Sequence, residues 1–260
     1  MAGRPAGAGH YAERHGADAR GLRAAKPDLD RSLALRPKLV AAHRLRIQIA
    51  RHEGEAKVAD GTISAALAAC PSCFRIRVVY ILNSVPRWGG SYSDLDTFVK
   101  RSMSSGPAMK LLPGFIDIGR AREFVDAKKL EPALAALDHA CSLGDGWQFF
   151  AERGSLQSRL GDKDKGLADL EHAAALRPGE PYVLANRADA QDALKHYELA
   201  GNDLRSVFQL EPTNEQAKRL LPYVIDQLLW EGDQHPKAGR RADAIRERDL
   251  AAELAPGTRA

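Results

Sequence analysis

Cys70-Pro-Ser-Cys73 has the spacing at which two thiolates hold one zinc ion, and His139 with Cys141 would complete a set of four. Arg87, Trp88 and Tyr92 form a second cluster, built from the residue types that dominate binding energy at interfaces. Other chemistry is scarce. The histidines at 10, 15, 43, 52, 139, 172, 196 and 235 make no H-x-x-x-H or H-E-x-x-H pattern. The sequence contains no Gly-x-Ser-x-Gly turn, phosphate-cradling glycine loop or dinucleotide fingerprint. Asp162 with Asp164, and Asp189 with Asp192, read as solvated charges on turns or helices. The expectation is a non-catalytic chain with no cofactor and no metal. An active site assembled from dispersed residues would centre on the Pro86–Tyr92 turn, and acidic or histidine side chains converging near Trp88 would be its sign.

Composition points to helices. Alanine and leucine are plentiful, and aromatics make up only 6% of the 260 residues. A formal net charge of +4 is too weak to imply nucleic acid by itself. Arg20, Arg23, Lys26, Arg31, Arg36, Lys38, Arg44, Arg46 and Arg51 do crowd the first quarter, which leaves a weak nucleic-acid binder as an alternative. The lack of stacking aromatics among those arginines argues against it. No apolar run reaches the ~18 residues of a membrane helix. The first ten residues lack the apolar core of a signal peptide. Three cysteines cannot complete a disulfide framework, so a reducing cytoplasm is the expected setting.

The elements that position these residues recur at a fixed period. Pro178 and Pro212 lie 34 residues apart, as do Pro37 and Pro71. Each closes a similar phrase, Leu-Ala-Leu-Arg-Pro37, Leu-Ala-Ala-Cys-Pro71, Ala-Ala-Leu-Arg-Pro178 and Phe-Gln-Leu-Glu-Pro212, and Pro256 ends a fifth. Such a period marks a solenoid of helical hairpins. Residues 147–180 give the clearest unit, with a turn at Gly161-Asp162 and an apolar stripe of Leu167, Leu170, Ala173 and Ala174 on the second helix. The segments 181–214 and 40–73 match it in register. The interval from Pro212 to Pro256 is longer, which predicts a long last hairpin or an insertion around Gly232–Pro236. Residues 1–24 read as a flexible tail and 25–258 as the array. Neighbouring helices pack about 8–10 Å apart, so His139 and Cys141, two repeats beyond Cys70 and Cys73, lie too far away to share their zinc.

Gly154, Gly161, Gly166, Ala173 and Pro178, repeated as Ala188, Ala200, Val207 and Pro212, and as Ala59, Ile63, Ala66 and Pro71, resemble the small-residue and proline pattern of the tetratricopeptide repeat. That resemblance implies an all-α solenoid of about six antiparallel hairpins wound as a right-handed superhelix. It also implies that the first helices line a concave groove. By register, the groove would carry Arg44, Gln48, Arg51 and Arg75 toward one end, Ser155 and Arg159 in the middle, and Tyr182, Asp189 and Asp192 toward the other. Basic and acidic ends would suit an extended peptide of opposite polarity. Arginine clusters suit carboxylates in particular, which makes an acidic protein or peptide partner one expectation. The family's clamp for a terminal carboxylate is not reproduced, because Val79 occupies one of its positions.

The phrase Pro86-Arg-Trp-Gly-Gly-Ser-Tyr92 is similar to one in an uncharacterised bacterial family of unknown function that also carries helical hairpins. At this turn two roles compete. Trp88, Arg87 and Tyr92 can form an exposed hot spot, or Trp88 can fold back over its hairpin with Gly89-Gly90 making the turn. The favoured function is an interaction scaffold that binds a peptide or partner protein.

Overall fold

The computed structural model describes residues 24–234 and 241–254. The expected tail, apart from residue 24, lies outside them, as do Pro236 and Pro256. Among the described residues there are thirteen α-helices and no strand. The chain divides into two compact units, residues 1–144 and 145–260.

The first unit holds α1 (Lys26–Leu35), α2 (Val40–His52), α3 (Ala56–Ala69), α4 (Phe74–Leu82), α5 (Tyr92–Ser102), α6 (Leu112–Asp126) and α7 (Leu130–Ser142). The second holds α8 (Trp147–Leu160), α9 (Lys163–Leu176), α10 (Pro181–Ala193), α11 (Tyr197–Leu210), α12 (Glu215–Gln234) and α13 (Arg241–Leu254). Consecutive helices pair as hairpins: α2 with α3, α6 with α7, α8 with α9, α10 with α11 and α12 with α13.

The recurring prolines act through the residue before them. Arg36, Cys70, Arg177 and Glu211 cap α1, α3, α9 and α11 in nearly one conformation, with φ of −137°, −144°, −140° and −138° and ψ of 78°, 82°, 76° and 81°. A following proline disfavours the helical region at these positions, so the helix stops there. Each cap still donates its N–H to the carbonyl four residues back.

Second helices carry a buried triad in which small residues predominate. It is Ala59, Ile63 and Ala66 in α3, Ala133, Leu137 and Ala140 in α7, Gly166, Leu170 and Ala173 in α9, and Ala200, Leu204 and Val207 in α11. Small residues let the paired backbones approach. The approach is close between α8 and α9, where a Cβ on Gly154 would lie 2.7 Å from the Gly166 carbonyl oxygen, and one on Gly166 would lie 2.7 Å from the Gly154 oxygen.

Turns inside the hairpins need a left-handed residue. Gly54 and Gly161 supply it at φ +76° and +95°, but Lys128 and Lys195 occupy the corresponding places at +57° and +64°. A side chain in that region costs roughly 1–2 kcal/mol, and glycine's extra freedom in the unfolded chain returns part of it. Lys195→Gly is expected to raise the thermal midpoint by a few degrees in a calorimetric melt, at about 2–4 °C per kcal/mol for a chain of this size.

The longer last interval goes into helix, in line with the long last hairpin, one of the two expectations: α12 runs 20 residues through an internal Pro222 and carries Gly232 within it, and residues 235–240 lie outside the described ones. Two findings depart from expectation. Cys70 and Cys73 are joined by a disulfide across the corner between α3 and α4, with Cα atoms 5.4 Å apart. The zinc spacing is thus used as a covalent clasp, and cysteine content no longer argues for a reducing compartment. Arg177 and Glu180, at the same corner of a later repeat, approach each other as an ion pair at 3.6 Å. Finally, α4 packs against α2 and α6, while α5 packs against α6. Across the Trp88 turn α4 and α5 still meet through side chains, with the Tyr80 and Phe98 rings 4.7 Å apart.

Candidate functional site

That turn is a 3-10 helix, Pro86–Trp88, followed by Gly89 in the left-handed region. Gly90 presses its Cα against the Ser84 backbone, leaving no room for a Cβ. Arg87 is tied to α6: its Nη2 donates to Asp126 Oδ2 at 2.9 Å, and its backbone N–H donates to Glu123 Oε1 at 3.4 Å. The Arg120 guanidinium lies 4.9 Å from the centre of the Tyr92 ring. Gly119 of α6 leaves space for Val85, since a Cβ there would lie 2.6 Å from Val85 Cγ1. Acidic side chains do converge near Trp88, but Glu123 and Asp126 meet Arg87, so this geometry fastens a turn to a helix. A second pair on α6 places the buried Asp117 Oδ2 2.7 Å from Nδ1 of the exposed His139.

The expected groove residues of the first unit separate. Arg44 and Arg75 are exposed and Gln48 is half-buried. Arg51 is turned inward, only 7% exposed, with its Nη2 donating to Asp60 Oδ1 at 3.0 Å and its guanidinium 5.5 Å from the Tyr80 ring centre. Arg51 is therefore removed from the candidate groove, because Asp60 of α3 and Tyr80 of α4 close over it. Several other basic groups of the first quarter are paired as well: Lys26 with Glu53 and Glu55, and Arg46 with Asp30.

In the second unit the first helices α8, α10 and α12 are joined by a polar ladder. Tyr182 donates its hydroxyl to Glu152 Oε1 at 3.0 Å. Ser155 Oγ donates to Asn186 Oδ1 at 3.1 Å, and Gln216 Nε2 approaches the same oxygen at 3.4 Å. Asn186 is itself held by Nδ2 donating to the Tyr182 carbonyl at 2.7 Å. Asp189 and Arg159 are exposed, and they follow Asn186 and Ser155 at helical spacing. Along α12, Gln216, Arg219, Tyr223 and Trp230 follow helical spacing on one stripe. Tyr223 is 49% exposed and Trp230 59%, and the Tyr223 ring lies 6.4 Å from that of Tyr197. The expected groove set of Tyr182, Ser155 and Asp189 omits Tyr223 and Trp230. Their seven-residue spacing on the next first helix was the available signal.

Asp192 sits at the edge of this face, half-buried, with Oδ1 unpartnered among the described residues. Burial pushes its carboxyl up to about 6, the charge of Asp189 adds to this, and Lys163 opposes it. Asp189 is an exposed residue, yet the protein packed around its carboxyl holds it above the ordinary value, against the opposing field of Arg219. A carboxyl raised in the folded state favours folding below its unfolded value of 3.8, and that contribution is lost as pH rises through about 6. Thermal melts are therefore expected to show the second unit losing stability between these values. Asp192→Asn should flatten that dependence.

Antiparallel hairpins closed by periodic prolines define an all-helical repeat architecture among the described residues. Residues 47–106, from α2 through the Trp88 turn to the end of α5, match a family described as a domain of unknown function (DUF4034). A search of curated proteins finds no match. Among solved structures, the chain is similar to the first TPR of Spaghetti (RPAP3) bound to the HSP90 peptide SRMEEVD. The identity is 21%, with 45% of this chain and 93% of that one covered and a TM-score of 0.43. It is also similar to the Arabidopsis OM64 TPR domain, at 19% identity over 44% of this chain and 96% of that one, TM-score 0.42. The P58(IPK) TPR domain matches 92% of this chain and 70% of its own at 16% identity, TM-score 0.41.

Proposed function

We propose that the protein is a non-catalytic interaction scaffold, and that the face formed by α8, α10 and α12 holds an extended peptide segment bearing lysine or arginine. The observation that carries this reading is the combination, on one face, of the carboxylates of Asp189 and Asp192 with the exposed rings of Tyr223 and Trp230. Carboxylates attract a cationic side chain, and aromatic faces hold it once it is partly stripped of water. The ladder from Glu152 to Gln216 fixes the three helices before a ligand arrives, which lowers the ordering cost of binding. In the first unit, the exposed Arg44 and Arg75 with Gln48 offer a place for a carboxylate-bearing segment instead.

Isothermal calorimetry with the capped peptide Ala-Lys-Leu-Lys-Ala tests the basic-segment reading. Saturable binding is expected, weakening as salt rises and strengthening as pH rises through about 6, where Asp192 ionises. Asp189→Lys is expected to weaken it roughly tenfold with helicity unchanged. Equal affinity for Ala-Glu-Leu-Glu-Ala, or indifference to Asp189→Lys, would contradict the proposal.

A further inference from the structure

Corners between repeats share one backbone conformation at Arg36, Cys70, Arg177 and Glu211, and of these the Cys70 corner alone is closed by a disulfide. In three of them the last residue of the corner donates its N–H to the carbonyl of the first: Leu39 to Arg36 at 3.0 Å, Cys73 to Cys70 at 3.1 Å and Asn214 to Glu211 at 3.0 Å. The side chains at the two ends vary. Arg177 and Glu180 form an ion pair at 3.6 Å, and Asn214 Nδ2 donates to Glu211 Oε2 at 3.0 Å. The corner therefore forms without a covalent bond. A cross-link between cysteines three residues apart closes a very short loop, the kind that constrains the unfolded chain least. Shaping the fold does not account for this disulfide.

Arg77, one turn into α4, adds an independent sign. It is 4% exposed and pairs with no carboxylate among the described residues. Its donors go to the corner: Nη1 to the Cys73 carbonyl at 3.1 Å, and Nη2 to the Pro71 carbonyl at 2.7 Å and to Ser105 Oγ at 3.0 Å. Burial works against its charge and pushes the guanidinium below its ordinary value. A buried cation of this kind gains from an anion nearby. Cys73 also begins α4, whose first-turn amides favour negative charge, and in the disulfide its side chain caps none of them. Cys70 ends α3, where the helix field disfavours an anion. The two sulfurs are thus inequivalent, and a thiolate is better held at Cys73. Packing of Cys73 against Ile47, Ile63, Ala66 and Ile76 opposes this only in part, because both cysteines are half-buried and Pro71 and Ser72 between them are exposed.

We propose that Cys70 and Cys73 are a reversible thiol–disulfide couple that exchanges with low-molecular-weight thiols while the repeat stays folded. In the reducing direction a small thiolate, RS−, attacks Cys70 Sγ. The bond between the two protein sulfurs breaks, and Cys73 Sγ leaves with the electron pair as the better-stabilised thiolate. A second RS− attacks the outer sulfur of the mixed disulfide on Cys70, which releases Cys70 and forms RSSR. One protein disulfide is thereby reduced by two electrons, and two molecules of RSH are oxidised to RSSR. Their two protons pass to Cys70 and to Cys73 or, while Cys73 stays ionised, to solvent. Oxidation runs the same steps backwards. The site lies in the first unit and is independent of the peptide face proposed for the second.

The test equilibrates the full chain, without denaturant, in β-mercaptoethanol and its disulfide at varied ratios, traps thiols with iodoacetamide and maps them by mass spectrometry, with Cys141 read separately. The pair is expected to interconvert reversibly, with unchanged helical circular dichroism and a thermal midpoint that moves by no more than a few degrees. Acid quenching during reduction is expected to catch the mercaptoethanol adduct on Cys70, and in the reduced chain Cys73 is expected to be alkylated before Cys70. Arg77→Met is expected to move the pH profile of Cys73 alkylation upward and to slow it about threefold at neutral pH, an approximately tenfold loss of thiolate being offset in part by its greater nucleophilicity. Arg77→Lys, which keeps the charge, should restore the profile. The readings on the parent chain decide the proposal even where Arg77→Met fails to fold. Any of these results would overturn it: a disulfide that persists until urea unfolds the chain, loss of helix on reduction, no disulfide at the most oxidising ratio, or the adduct on Cys73 with Cys70 alkylated first.

Discussion

Gly166→Ala is expected to destabilise the second unit by about 2 kcal/mol, although alanine is the better helix former by about 1 kcal/mol. The reason is backbone contact. A Cβ on Gly166 would lie 2.7 Å from the Gly154 oxygen and 2.9 Å from the Ser158 amide nitrogen, and neither can rotate away. The Ser158 hydroxyl also sits in that space, bonded at 3.0 Å to the Gly154 carbonyl. Helices α8 and α9 must therefore separate, and Leu170 and Ala173, both fully buried now, lose contact with their neighbours. Gly166→Leu should unfold the pair. Circular dichroism melts of both variants check this, and a Gly166→Ala protein as stable as the parent would refute the close approach.

Asp203→Ala is expected to cost about 2–3 kcal/mol. Asp203 is 6% exposed and accepts two bonds from Arg187, from Nε at 2.7 Å and from Nη2 at 2.6 Å. Removing the carboxylate leaves the guanidinium in protein surroundings with its fork unfilled. Because a quarter of the Arg187 side chain reaches solvent, the loss falls below that of a fully enclosed pair. The same arrangement occurs 34 residues earlier, where Arg153 holds Asp169 at 2.7 and 2.9 Å. Asp169→Ala should cost less, since Arg153 keeps the Phe150 ring 5.6 Å away. Urea denaturation should also show the double variant Arg187→Met with Asp203→Leu regaining much of the loss, because no unpaired charge remains.

These two predictions mark where sequence was legible and where it was not. Prolines and small residues act on their own chain neighbours or on a helix one turn away in sequence, so Pro37, Pro71, Pro178 and Pro212, Gly154 and Gly166 could be read directly. The bidentate pairs recur at the same period, yet Arg153 and Asp169 declare themselves as partners only once the hairpin is folded. Arg51 shows the converse. By spacing it shares a stripe with Arg44 and Gln48, but Asp60 and Tyr80 come from two other helices and turn it inward. Helical phase alone does not report what the next repeat brings. The Cys70–Cys73 clasp escaped for a similar reason, because its spacing fits zinc as well as a corner whose two ends lie 5.4 Å apart. At Trp88, the pair of glycines marked the turn, while its anchoring to Glu123 and Asp126 needed a helix more than 30 residues away.

Amide hydrogen exchange on the intact chain, with and without Ala-Lys-Leu-Lys-Ala, tests most directly whether the second unit's first helices hold a basic segment. The prediction is slowed exchange confined to residues 181–193 and 215–234, cancelled by Asp189→Lys. Protection that avoids both helices, or none at peptide saturation, would contradict it.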